Sequence, residues 1–219
     1  MSGPSAYGQL KSLMKKRTHE EDECKKLLVN ALEMLVHHEP PEEFNRFEPE
    51  YAGVHGYTDV VVSCTRSSDT GEPRKHAYIW EAKSPQCYLF EADTRHRVRP
   101  TKELVSAENQ LLHYYYSNRG AASFRRHFSI ISDIDIHFGG IIIGQQSTLV
   151  RNSRKIRYSE DERYPLYADA RDYRNMALWE NSGIKLLTWD RVLNVLRPPS
   201  ELPPRGAVGQ AVDLSQQQI

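Results

Sequence analysis

An excess of either charge is what this chain of 219 residues lacks: 29 Lys and Arg face 29 Asp and Glu, for a formal net charge of zero. No global positive field draws it to a polyanion, so any contact with nucleic acid has to come from local patches. Cysteine is scarce as well, and Cys24, Cys64 and Cys87 are far apart and odd in number. That argues against a disulfide scaffold, offers no zinc-type spacing, and suits free thiols in a reducing compartment. No stretch approaches the roughly 20 apolar residues of a membrane span, and the amino terminus has no apolar signal core. A soluble, cytoplasmic protein that makes no use of a membrane is the expectation. Gly139-Gly140 is too short for a phosphate-cradling loop, no H-E-x-x-H occurs, and His37-His38 reads as a helix-end pair. There are no internal repeats, and the length fits one domain with a substantial core.

What is present centres on Ile79-Trp80-Glu81-Ala82-Lys83, an apolar run carrying a carboxylate and an ammonium two residues apart. In a strand, residues i and i+2 share a face, so Glu81 and Lys83 project together. Upstream, Asp59 opens a second β-branched run, Asp59-Val60-Val61-Val62-Ser63, and the segment between them holds the turn signals Asp69-Thr70-Gly71-Glu72-Pro73. A hairpin is expected, with Asp59 beside Glu81 and Lys83. Two carboxylates with no histidine nearby suit a hard cation, Mg2+ or Mn2+, with the Ala82 carbonyl as a further ligand and Lys83 orienting water or stabilising an oxyanion. An E-x-K on an exposed edge would be an ordinary salt bridge. Inside apolar strands, unpaired charge is costly unless something such as a metal compensates it.

Read in order, residues 1–18 form a flexible or loosely docked lead-in, 19–197 the main domain, and 198–219 a disordered Pro, Gly and Gln-rich tail. Apolar spacing predicts a helix from His19 to His37, and Glu20 falls on its apolar face. Two readings stand for Glu20: a first-turn acid favoured by the helix dipole, or an additional metal ligand. Pro40-Pro41 stops that helix, and an acidic, aromatic loop is expected as far as Tyr57. Residues 88–100 read as an irregular loop with Arg95, Arg97 and Arg99, either solvated or contacting phosphate. Thr101 caps a helix to about Asn118, on which Gln110 and Tyr114 are an i, i+4 pair. Residues 121–130 suit a short helix or connector. Gly139 to Gly144 reads as a buried central strand. Arg151, Arg154, Lys155 and Arg157 form the densest basic stretch, again a solvated loop or a DNA patch. A helix from Asp169 to Ser182 stopped by Gly183, a strand from Ile184 to Trp189, and a last helix capped by Asp190 complete the chain. The order describes an α/β domain with helices covering a mixed sheet.

Asp59, then Glu81-x-Lys83, then a helix with Gln110-x-x-x-Tyr114, resembles the PD-(D/E)xK nuclease superfamily, with Thr58 where that pattern often has proline. Within it, Glu81-x-Lys83-Ser84-Pro85, Leu89-Phe90, the Arg-rich loop, Glu103-Leu104, Ala107, Gln110-Leu111 and Tyr114 look most like the nuclease domain of Shedu antiphage-defence proteins. Gly140 to Gly144 and Ile184 to Asp190 are similar too, so the resemblance spans about residues 59–196. It implies a restriction-endonuclease-like fold, metal-dependent cutting or nicking of duplex DNA, a role against phage, and a homo-oligomer formed through the nuclease domains. By position, Asp59 and Glu81 would hold the metal, Lys83 would assist the attacking water, and Gln110 with Tyr114 would orient the site. A repair or recombination nuclease and a catalytically silent DNA-binding module on the same fold are the competing readings of these residues.

Overall fold

The computed structural model describes residues 5–36, 40–68, 70–93 and 97–201. Arg95, the His37-His38 pair, and the tail from residue 202 onward lie outside the described residues.

The two β-branched runs form the expected hairpin. Strand β2 (Gly56–Ser67) pairs antiparallel with β3 (Pro73–Ala82), with Val60 opposite Trp80 and Val61 opposite Ile79. On the far side of β3 lie β6 (Ile136–Ile142) and then β8 (Lys185–Leu187), both parallel to it. The edge beyond β2 is β1 (Glu43–Gly53), antiparallel, giving a five-stranded mixed sheet of order β1-β2-β3-β6-β8.

Strand β1 occupies the segment expected to be a loop. Its sequence is polar because it is an edge: most of its residues are at least partly exposed, and Pro49 needs no ladder donor there. The described part of residues 88–100 likewise holds strand where a loop was expected. Strand β4 (Phe90–Ala92) pairs with β5 (Val98–Pro100) and with β7 (Val150–Arg151) in a second, three-stranded sheet. Strands of two or three residues are too short to show a period.

Helices cover both faces of the large sheet, as strand alternation requires. Val60, Val62, Cys64, Tyr78, Trp80 and Ala82 point into one core, which α1 (Ala6–Met14), α2 (Glu21–Leu27), the 3-10 segment Leu28–Leu35 and α7 (Trp189–Val195) close. Val61, Ala77, Ile79 and Ile141 point into the other, closed by α3 (Lys102–Gly120) and α4 (Ala122–Phe128). The lead-in, read as flexible or loosely docked, contains a helix packed against the sheet. Tyr7, Leu10 and Met14 share one buried face of α1, and the Gln86 and Gln145 side-chain amides donate to carbonyls at its C-terminal end, including Met14 O. Helix α3 begins at Thr101 as expected, the Thr101 hydroxyl accepting from Leu104 N–H. The last long helix starts earlier than Asp169. A capping box of Ser159 and Glu162 opens α5 (Glu160–Arg174), a π-helical turn (Asn175–Trp179) and α6 (Glu180–Ser182) follow, and Gly183 ends the run at φ 67°. Thr188, not Asp190, holds the N-cap position of α7, and the Asp190 carboxylate accepts from Gln146 N–H instead. Among the described residues no helix is long and apolar enough to cross a membrane.

One polar contact ties α3 to α5. The Arg174 guanidinium grips Glu108 with two nitrogens, Nε at 2.7 Å from Oε1 and Nη2 on Oε2, and the Trp179 indole N–H donates to Oε1 at 3.0 Å. Glu108 is buried, so removing it strands a guanidinium and an indole donor. Glu108→Ala is expected to lower unfolding stability by about 3–5 kcal/mol, read as a fall in the denaturation midpoint with an unchanged slope in urea.

Candidate active site

The hairpin register that pairs Val60 with Trp80 sets Asp59 against Glu81 at the end of the sheet. Ala82 N–H donates to Asp59 Oδ2 at 3.1 Å, so the second strand itself orients the first carboxylate. By alternation the Ala82 carbonyl faces the same edge. Lys83, just past β3, is held by its backbone: its N–H donates to Ile142 O at 2.7 Å and its carbonyl accepts from the Trp189 indole at 2.7 Å. Its ammonium lies 2.6 Å from Glu81 Oε1, a close ion pair outside hydrogen-bond geometry. Asp59, Glu81 and Lys83 thus converge, as the sequence suggested.

Glu81 is 1% exposed, and Lys83 is its only ion-pair partner among the described residues. Burial first, and the Asp59 charge second, push its carboxyl up to about 9 despite Lys83. Without another cation, Glu81 therefore holds its proton well above the ordinary carboxylate range. Burial works against the charge on Lys83, but Glu81, Glu21 and Asp59 more than offset it and hold the ammonium above the usual lysine value. Lys83 is a fixed cation rather than a proton acceptor.

Tyr114, on α3, lies within electrostatic range of this cluster. Its ring lies against Gly56, and burial together with the Glu81 and Asp59 charges raises the phenol, leaving it a neutral hydrogen-bond donor. Gln110 is placed differently. Its amide oxygen accepts from Ser106 one turn earlier at 3.5 Å, and it lines a cavity of about 620 Å³ with Glu91, Arg99, Asn109 and His113.

Glu20 does not join the cluster. It sits at the N-cap of α2, outside the helical conformation, and its carboxylate accepts from Thr18 Oγ1 and Lys16 Nζ, bonds that hold it below the usual range. The acid that arrives from the leading helix is its neighbour Glu21, 3.9 Å from both Lys83 and Lys25 and raised by burial. Sequence periodicity placed the acid one position early, and on a helix one position is about 100°. Lys25 is also in the cluster and carried no signal in the sequence: it is buried, with Asp59 Oδ1 at 3.4 Å.

The basic residues divide in two. Arg97 pairs with Asp93 at 3.3 Å, while Arg99 and Arg151 both hold Glu91 and so brace the small sheet. Arg154, Lys155 and Arg157 are exposed and enter no ion pair among the described residues.

No three His, Cys, Asp or Glu side chains form a ready metal cage among the described residues. The donor set is two carboxylates and a backbone carbonyl, and the buried Glu81 carboxyl beside Asp59 is the feature that fits a hard divalent ion. No family model and no curated protein matches the chain.

Because the folded-state value of Glu81 lies above its unfolded one, the native chain keeps a proton that the unfolded chain has lost, from the ordinary carboxylate value up to about 9. Stability therefore falls as pH rises through that window. In EDTA, the melting temperature of the wild type is expected to drop from pH 5 to pH 9, and Glu81→Gln to flatten that slope and melt higher at pH 8. Parallel melting curves for the two proteins would contradict this electrostatic picture.

Proposed function

We propose that this chain is a divalent-metal-dependent DNA endonuclease of the restriction-endonuclease-like PD-(D/E)xK type, acting as Shedu proteins do in defence against phage. The observation that carries the reading is the buried Glu81 carboxyl set against Asp59, with Lys83 its only ion-pair partner among the described residues. A buried acid held beside a second acid destabilises the fold. A site that takes up a cation gives that cost a use.

Asp59, Glu81 and the Ala82 carbonyl would hold Mg2+ or Mn2+, with Glu21 the nearest further acid. The ion would supply charge neutralisation at a phosphodiester and activation of water. The protein's own part is positioning. Lys83, held as an ammonium against burial by the acids around it, places positive charge where the phosphate gains negative charge, and the Trp189 indole fixes the backbone that carries it. Tyr114 keeps its phenolic proton and offers a donor from the α3 side. Water adds to phosphorus, the P–O bond to the leaving nucleoside breaks, and the products are a phosphomonoester and an alcohol. Arg154, Lys155 and Arg157 are the cations free to meet backbone phosphates, whereas Arg97, Arg99 and Arg151 would have to exchange acid partners to do so. Assembly through the nuclease domains and a cytoplasmic site of action complete the proposal.

The test is cleavage of supercoiled and linear DNA with Mg2+, Mn2+ or EDTA. Metal-dependent cutting by the wild type is expected, reduced at least about 100-fold in Glu81→Ala and Lys83→Ala. A wild type that binds DNA as well as both variants do and never cuts would leave a binding module in place of an enzyme.

A further inference from the structure

Lys25 is only 4% exposed, yet its ammonium lies within 4 Å of four carboxylates: Asp22 at 3.0 Å, Asp59 at 3.4 Å, Glu50 at 3.5 Å and Glu21 at 3.9 Å. These acids come from three separate elements, α2, β1 and β2. One of them is delivered by strained backbone. Glu50 falls between the β1–β2 pairs Pro49–Val60 and Tyr51–Thr58, opposite Asp59, and has φ 59°, a left-handed conformation that L-residues other than glycine rarely adopt. A salt bridge that merely anchored α2 to the sheet would need one partner and no strain. Here a second carboxylate is brought to Lys25 directly opposite Asp59.

Asp59 has two oxygens, and both are engaged. Oδ2 accepts from Ala82 N–H, and Oδ1 faces Lys25. On the reading of Asp59 and Glu81 as metal ligands, on which this inference rests, an incoming divalent ion meets a positive charge already seated on one of its ligands. We infer that Lys25 is the resident counter-cation of the acid cluster: it neutralises Asp59 in the metal-free chain and opposes the incoming ion, so the site binds metal weakly on its own. Asp22 and Glu50 are more than half exposed and stay within reach of Lys25, so the ammonium has partners to keep when Asp59 turns to a metal. An anionic phosphodiester entering the site adds negative charge beside Lys83 and shifts the balance back toward the metal. Loading is then coupled to the presence of substrate.

Titration of the intact protein with Mn2+, followed by the EPR signal of free Mn2+, tests this without any reaction. Lys25→Met is expected to bind Mn2+ about tenfold or more tightly than the wild type, since a unit charge is removed within a few ångströms of a ligand oxygen. Lys25→Arg keeps the charge and is expected to bind like the wild type. Should Lys25→Met fail to fold, Lys25→Met/Asp22→Asn preserves the balance of charges and carries the same expectation. Glu81→Gln separates the two claims. If it leaves Mn2+ binding intact, or if neither wild type nor Lys25→Met binds, the metal reading fails and this inference with it. If Glu81→Gln abolishes binding while Lys25→Met, or its double variant, binds no more tightly than the wild type, the metal reading stands and Lys25 is only an anchor.

Discussion

The pleat of β3 is the constraint on which the rest depends. Trp80 and Glu81 are consecutive, so one must enter each layer of the sandwich. Trp80 is wholly buried, its indole N–H donates to Leu35 O at 2.8 Å, and its ring covers Gly139 and Gly140 so closely that a Cβ at Gly139 would fall 2.1 Å from Nε1. The β3–β6 register slips by one residue at this point, which leaves Gly139 as the bulged residue and makes the room. A slip of β3 against its neighbours would put a carboxyl into that apolar slot and the indole among charges. Seating Trp80 therefore forces Glu81 inward on the other face, against its own solvation.

The cluster around Glu81 is a balance of charges that no member satisfies alone. Glu81 answers burial by keeping a proton, while Lys83 and Lys25 answer it by gathering acids. For Lys25, burial is the largest influence and works against the charge, yet Asp59, Asp22 and Glu21 outweigh it and raise it above the ordinary lysine value. The acids outnumber the lysines once Glu21, Asp22, Glu50, Asp59 and Glu81 are counted together. The surplus is relieved by the proton that Glu81 retains and by carboxylates at the solvent edge.

Much of this was legible in the sequence because it rests on local patterns. Two β-branched runs flanking turn residues gave the β2–β3 hairpin, Thr101 gave the start of α3, and Gly183 gave the end of the long helix. What was not legible depends on partners far along the chain. Lys25 counts as one more residue on the polar face of α2 until Asp59, 34 residues later, is placed beside it. Arg99 and Arg151 look like free cations until both are found on Glu91. Edge strand β1 hides because one partner and solvent demand little apolar surface, and α1 because its buried face has only a few residues to show.

Thr58 shows why a departure from a motif can be physical rather than neutral. The Asn118 amide donates to its hydroxyl at 2.8 Å, both groups being buried, and Gly53 leaves the amide oxygen just enough space. Asn118 and Tyr114 are i, i+4 on α3, hence neighbours on one face of that helix. The bond to Thr58 thus fixes how far α3 stands from β2 at the residue before Asp59, and Tyr114 meets the acid cluster at that separation. A proline at position 58 would preserve extended backbone for the aspartate, but it has no hydroxyl and would leave a buried amide without an acceptor. The strand is tied to the helix through Thr58, so the placement of Tyr114 and the identity of Thr58 belong to one interaction.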